Sequence, residues 1–235
     1  MGGMEQLGEG LIWFVAFLFS TTVHEAMHAW VAYKGGDPTA YHGGQVTLSP
    51  LPHIRREPIG MLVVPLLTAL TQGWAMGWAS APYDPYWAAR HPRRAALMAA
   101  AGPAGNFAIA IVAFLIIKMG LATGSFVPPP QASYETLVQT VSGPNGLTTM
   151  LSVFLMLNVL LGTFNLIPLP PLDGASVAEI FLPSDLRTRV RDLTRSGMMS
   201  MLGLVVAWRV FPALTSPLFD LVLRLIHPSL NYGNY

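Results

Sequence analysis

The stretch LIWFVAFLFSTTVHEAMHAWVAY, Leu11 to Tyr33, runs for 23 residues and holds one formally charged side chain, Glu25. A membrane-spanning helix needs about 20 mostly apolar residues, so the stretch is long enough to cross a bilayer. Its polar residues are not scattered. His24, Glu25 and His28 form an H-E-x-x-H motif inside the apolar run. Residues four apart on a helix lie about 40° apart around the axis, one turn along, so both imidazoles can reach one ion. Glu25 is rotated by about 100° from His24, beside the ion rather than on it, where it can take a proton from water. Ionisable groups in a membrane helix are costly and mark function. The competing reading is three polar residues that satisfy one another in a bundle core.

Composition agrees with a membrane setting. Of 235 residues, 52% are hydrophobic and only 11% are charged, against about 25% charged in an ordinary soluble domain. The length fits one compact membrane domain, residues 1–235, with little room for an appended soluble one. A formal net charge of +1 gives no global field for nucleic acid. The chain has no cysteine, which excludes disulfide scaffolds and thiolate metal sites, so a transition metal must be held by His, Asp or Glu. Glu5 and Glu9 precede the first apolar run without a Lys or Arg, unlike a cleavable signal peptide, so the run is expected to stay as a helix.

Five apolar segments are expected: Gly10 to Tyr33, Ile59 to Ser80, Ala95 to Lys118, Leu147 to Ile167, and Met198 to Ile226, the last interrupted by Arg209 and Pro212. The expected fold class is an all-α membrane bundle of about four to five transmembrane helices, with one re-entrant segment and a small membrane-associated β element. In regional terms, residues 10–33 carry the H-E-x-x-H helix and 41–80 the β and re-entrant region. Residues 95–118 and 147–174 form the next two helices with their motifs, and 198–227 the C-terminal helical region. The β element is read from Gln45, Val46, Thr47 and Leu48, which alternate in polarity after Gly43 and Gly44; an interfacial loop is the other reading. Lys34 to Arg56 and Arg90 to Arg94 each carry three basic residues and Arg187 to Arg195 four, whereas Gly120 to Gly146 carries none. Basic loops favour the cytoplasm. The first two are on one side only if Ile59 to Ser80 dips into the membrane and returns.

A catalytic zinc takes three protein ligands and leaves one position open. His42, His53, His91 and His227 fall in loops or near segment ends and read as interfacial residues. Asp173 is the better third candidate, in N-L-I-P-L-P-P-L-D-G, Asn165 to Gly174, where Pro168, Pro170 and Pro171 break the helix and let the chain turn back. It could instead be a simple N-cap. In Ala101-Gly102-Pro103-Ala104-Gly105-Asn106 the small residues allow close helix approach. Asn106 there could face a substrate carbonyl or developing oxyanion, or merely pack between helices.

Together, H-E-x-x-H in the first helix, A-G-P-x-x-N in a later one and N-x-x-P-x-P-x-x-D-G after the next resemble the site-2 protease family of intramembrane zinc metalloproteases, in its compact prokaryotic branch. The likeness runs from about Phe19 to Ala178 and includes T-L-S-P-L and the later P-I-G and G-W-A. It implies one zinc per chain held by His24, His28 and Asp173, with Glu25 as catalytic acid/base. It implies Asn106 near the substrate, and Gln45 to Pro50 as a sheet edge for an extended substrate strand.

The expected function is zinc-assisted hydrolysis of peptide bonds within or near transmembrane segments, by water that Glu25 deprotonates. The expected partners are a membrane protein or transmembrane peptide substrate and the lipid bilayer, with no nucleic acid. The expected place is a prokaryotic cytoplasmic membrane, the site towards the cytoplasm. A catalytically silent binding protein of the same family is the alternative, and a metal transporter a weaker one. Intact Glu25 disfavours the binder, which needs no base, and polar groups gathered at one depth disfavour the transporter.

Overall fold

In a computed structural model, residues 3–183, 185–187 and 197–229 are described; the expected basic loop Arg187 to Arg195 lies outside them except for Arg187 itself. The first apolar stretch forms α1, Gly3–Lys34. Short helices α2, Thr39–His42, and α3, Pro50–Arg56, follow. A π-helical turn, Ile59–Val63, leads directly into α4, Val64–Gln72. After α5, Pro85–Arg90, come α6, Pro92–Ala122, and α7, Gly146–Asn165. Helix α8, Asp173–Ala178, ends in a 3-10 turn, and α9, Gly197–Val210, and α10, Pro212–Ile226, close the chain.

Three of these helices, α1, α6 and α7, are long and apolar enough to cross a membrane, and α9 with α10, bent by 48° between them, can make a fourth span. The expected break at Pro212 is therefore the bend. Helix α7 begins with a capping box, in which the Asn145 side chain accepts from the Thr148 backbone N–H and the Thr148 hydroxyl accepts from the Asn145 N–H. Pro92 opens α6, where its missing N–H costs nothing.

The segment Ile59–Gln72 is too short to cross: 14 helical residues rise about 21 Å, against a hydrocarbon core of about 30 Å. At Gly73 the chain leaves the helix in a left-handed conformation, φ 79°, and returns beside the turn it came from. Trp78 N–H donates to the Gly60 carbonyl at 3.1 Å, and the Thr68 hydroxyl accepts from Met76 N–H at 3.0 Å. The segment thus goes out and back. The other end of the excursion closes too, because Arg94 Nη1 and Trp87 Nε1 both donate to the Gly35 carbonyl, at 3.0 and 3.1 Å. The end of α1 and the start of α6 are therefore neighbours, and the basic stretches Lys34 to Arg56 and Arg90 to Arg94 lie at one end of the bundle.

The β element is a correction. Residues 46–48 form bends, and the described residues contain no sheet, only the isolated bridges Val127 with Gln139 and Thr140 with Gly143. Gln45, Val46, Thr47 and Leu48 have the alternation of a strand but no partner to pair with. They are confined between Gly44, at φ +70°, and Pro50, which starts α3. Their backbone groups are used locally: Gln45 N–H donates to the Ala40 carbonyl, and the Thr47 carbonyl accepts from His53 Nε2. Alternation records a two-sided surface, but a strand also needs a neighbour to satisfy its ladder.

The apolar core has two main parts. Ile117, Leu137, Met156, Phe219 and Ile226 pack where α6, α7 and α10 meet the loop of residues 123–145. Trp13, Phe17, Ala69, Val153 and Leu157 pack α1 against α4 and α7. Between them and the polar cluster, α1, α6 and α7 are in mutual contact, and it is this triangle that positions the site.

Candidate metal centre

His24, Glu25 and His28 lie on one buried face of α1, at 7%, 5% and 7% exposure. Their ligand-capable atoms are within 4.8 Å of one another, and they are the one such group among the described residues. His24 Nε2 and His28 Nε2 are 2.9 Å apart. Asp173, at the first turn of α8, brings its Oδ2 to 3.1 Å from the first and 3.3 Å from the second. Three donor atoms, two from α1 and one from α8, thus form one small triangle. In tetrahedral zinc with bonds of about 2.1 Å, ligand atoms lie about 3.4 Å apart. The triangle needs to open by half an ångström or less to fit.

Hydrogen bonding fixes which atoms point inward. His28 Nδ1 is 2.7 Å from the Met98 carbonyl. A carbonyl only accepts, so Nδ1 donates and Nε2 keeps its lone pair. His24 Nδ1 is 2.6 Å from Asn106 Oδ1, and the same assignment follows through a longer chain. Asn158 Nδ2 donates to the Phe154 carbonyl and to Ser20 Oγ, both at 2.8 Å. Its Oδ1 therefore accepts from Asn106 Nδ2, at 2.9 Å. Asn106 then offers only its Oδ1 to His24, which donates from Nδ1 and leaves Nε2 bare. Two bare nitrogens and a carboxylate oxygen at these separations repel one another unless protons or a metal cation lie among them. One Glu25 oxygen, Oε2, is buried with no hydrogen-bond partner, which leaves it an acceptor beside the triangle.

The helix faces explain how the site is packed. Helices α1 and α6 run antiparallel, so Met98 faces His28 and Asn106 faces His24. Gly102, midway between them, lies under both imidazoles: a Cβ there would sit 2.5 Å from His24 Nε2 and closer still to His28 Nε2. Only glycine leaves room for the rings. Asp173 reaches the rings because α8 turns back tightly on the end of α7. A Cβ on Gly174 would overlap the Leu166 carbonyl.

Asn106 differs from its expected place at a substrate or oxyanion. It is fully buried and both of its polar atoms are committed, Oδ1 to His24 and Nδ2 to Asn158, with a longer contact to the Ser20 carbonyl at 3.4 Å. Burial among three packed helices, which hydropathy alone does not reveal, is the reason. His53, His91 and His227 stay out of the cluster, bound to the carbonyls of Thr47, Trp87 and Leu137 respectively. Ser20 and Asn158 were not singled out from the sequence. Asn158 carried a signal, as a lone amide within the apolar run Leu155 to Leu161.

The donor chemistry fits zinc: two neutral imidazole nitrogens and one carboxylate, with a fourth position open. Sequence comparison agrees. The profile of peptidase family M50 matches residues 12–208. A Bacillus subtilis protein named "Putative zinc metalloprotease YwhC" is 30% identical across 92% of this chain and 93% of its own length. A Mycolicibacterium smegmatis protein named "Putative zinc metalloprotease Rip2" is 25% identical across 93% of this chain and 74% of its own. A Streptococcus pyogenes protein named "Putative zinc metalloprotease SPs1691" is 33% identical, but over 40% of this chain and 25% of its own. No solved structure matches the chain. With a family match across most of its length and two histidines and an aspartate converging among its membrane helices, the chain belongs to peptidase family M50, the site-2 proteases.

Proposed function

We propose that this protein is an intramembrane zinc endopeptidase that hydrolyses peptide bonds within or next to transmembrane segments of membrane-protein substrates. In this reading His24, His28 and Asp173 hold one zinc, and Glu25 is the catalytic base and acid. The observation that carries it is the convergence of His24 Nε2, His28 Nε2 and Asp173 Oδ2 within 3.3 Å beside the partnerless Glu25 Oε2.

Zinc, when bound, supplies Lewis acidity, which acidifies water and polarises a carbonyl oxygen. The chain's own residues do the rest. Glu25, one residue from His24 and beside the triangle, takes the proton from the attacking water at its free Oε2. It returns that proton to the leaving amine as the C–N bond breaks. The Met98 carbonyl and Asn106 hold the two imidazoles with their Nε2 lone pairs inward. Burial of all three motif residues excludes bulk water, so charge that develops there is weakly screened.

The site belongs on the cytoplasmic side in this proposal. The basic stretches at the α1–α6 end favour that side, and His28 is six residues from Lys34 at that end of α1. A cavity of about 830 Å³ lies between α1, α7, α9 and α10 and the return after α4. Trp13, Phe17, Trp74, Phe164, Trp208 and Phe211 make most of its wall, Glu9, Gln72 and Glu135 add polar groups, and His24, Glu25, His28 and Asp173 do not line it; the mainly apolar wall suits the part of a membrane segment away from the cut. A helical substrate must unwind locally to reach the four site residues, since its scissile carbonyl is otherwise hydrogen-bonded.

The test compares cleavage of a reconstituted membrane substrate by wild type and Glu25→Gln at matched zinc content. Wild type should cleave and Glu25→Gln should not. Equal cleavage by both would sink the mechanism, and zinc binding without cleavage by wild type would favour the silent binder.

A further inference from the structure

Four side chains form one hydrogen-bonded line across three membrane helices: Ser20 and His24 on α1, Asn106 on α6 and Asn158 on α7. Ser20, Asn106 and Asn158 are each fully buried. We infer that Asn158 is a positioning residue for the metal centre: by fixing which way the Asn106 amide points, it fixes which nitrogen of His24 is free to bind metal. The inference rests on the metal-site reading above and adds to it a residue outside every motif that carries that reading.

The argument is one of polarity. Asn158 Nδ2 faces two groups, and one of them, the Phe154 carbonyl, has no proton to give. That end of Asn158 must be the NH2, so the end facing Asn106 must be the oxygen. Asn106 must answer with its own NH2. Its oxygen is left for His24 Nδ1. Were the Asn106 amide reversed, its NH2 would meet Nδ1, the imidazole proton would move to Nε2, and His24 could no longer donate to a metal. The Asn106 contact to the Ser20 carbonyl, at 3.4 Å, favours the same orientation but at the outer limit of a hydrogen bond. Asn158 is therefore the stronger constraint. Ser20, Asn106 and Asn158 have no exposed surface, so a wrong orientation leaves a buried donor or acceptor unmade. The partner that orients a ligand histidine is commonly one step removed from the metal. Here there is a second step, and it crosses to a third helix.

The experiment measures zinc affinity of the full chain in detergent by competition with a chromophoric chelator. Visible absorption of the Co2+-substituted protein gives a second readout, independent of proteolysis. Asn158→Leu should weaken zinc about 10- to 100-fold and alter the Co2+ spectrum. Asn158→Asp, with its proton on the oxygen that faces the Phe154 carbonyl, keeps that donor and an acceptor for Asn106 and should hold zinc as wild type does. In the Asn106→Leu background, adding Asn158→Leu should weaken zinc no further, because its effect passes through Asn106. Multiplying effects of the two Leu variants, or wild-type affinity in Asn158→Leu, would overturn the inference. Should Asn158→Leu fail to fold, Asn158→Asp decides alone: a loss of about tenfold or more would refute it. Wild type that binds no zinc refutes instead the metal reading beneath.

Discussion

Replacing Gly102 by alanine tests the site's geometry at its tightest point. The new methyl would sit 2.5 Å from His24 Nε2 and closer to His28 Nε2, whereas carbon and nitrogen in ordinary contact are about 3.5 Å apart. An overlap of about 1 Å must be relieved. Rotating the rings moves both Nε2 atoms off the triangle. Backing α6 away from α1 by the same amount stretches the 2.7 Å Met98–His28 bond and the 2.6 Å Asn106–His24 bond, because both lie on α6 on either side of Gly102. Each orienting bond lost costs about 10- to 100-fold in metal affinity. Gly102→Ala is thus expected to weaken zinc at least about 100-fold, while overpacking costs the metal-free fold about 1–3 kcal/mol. Chelator competition gives the first number and thermal unfolding of the metal-free protein the second. Gly105→Ala is the control on the same helix. Its Cβ would meet Met27 Cγ at 2.9 Å and neither imidazole, so zinc affinity should fall much less than in Gly102→Ala. Wild-type zinc affinity in Gly102→Ala would refute the reasoning, because the imidazoles could not then be where this packing places them.

Other perturbations separate the centre from its supports. Asp173→Ala removes one of the three proposed ligands and should lower zinc affinity by more than about 100-fold, read by the same competition; retained affinity would remove Asp173 from the proposed set. Asp37, buried at 1% exposure, accepts from Thr39 N–H and Oγ1 with one oxygen and from Asp84 N–H at 2.8 Å with the other. Asp37→Ala should therefore cost about 2–4 kcal/mol of stability and leave zinc affinity of the folded protein intact, seen as a lower unfolding temperature with an unchanged binding curve. His227, just past α10, is pushed below its ordinary pKa by burial and by Lys118, against a raising bond to the Leu137 carbonyl. The folded state then binds that proton less readily than the unfolded chain, so stability should fall as pH drops below about 6.5. His227→Gln should flatten that part of the dependence, and an identical pH profile for both proteins would count against it.

Much of the site was legible because polar groups in an apolar run are conspicuous. His24, Glu25 and His28 announced themselves by spacing, and Asp173 by being a lone carboxylate after a proline-broken helix end. For Ile59 to Ser80 charge favoured an out-and-back course without deciding it, since a single crossing would have set two basic stretches on opposite faces. The strand at Gln45 to Leu48 was misread because alternation is local and pairing is not: nothing in those residues says whether a neighbouring strand exists. Asn106 was found with two roles open, at a substrate or packed between helices. An inward-facing amide looks the same in sequence whether it meets substrate or a histidine, and only the antiparallel register of α1 on α6 decides it.

That register has a consequence for how such a centre can change. In water, an amide that turns over can replace each lost partner with solvent, and its orientation carries little information. Between α1, α6 and α7 no such replacement is at hand, so the Phe154 carbonyl, a backbone group that no substitution removes, dictates the direction of every bond from Asn158 to His24. The free nitrogen of one ligand is thereby set by the backbone of a helix that supplies none of the α1 motif. Substitutions on α7 that leave the motif untouched can then silence the centre, and two amides must change together to reverse the line. The proposed metal centre is for this reason a property of three packed helices rather than of the five residues by which it is first recognised.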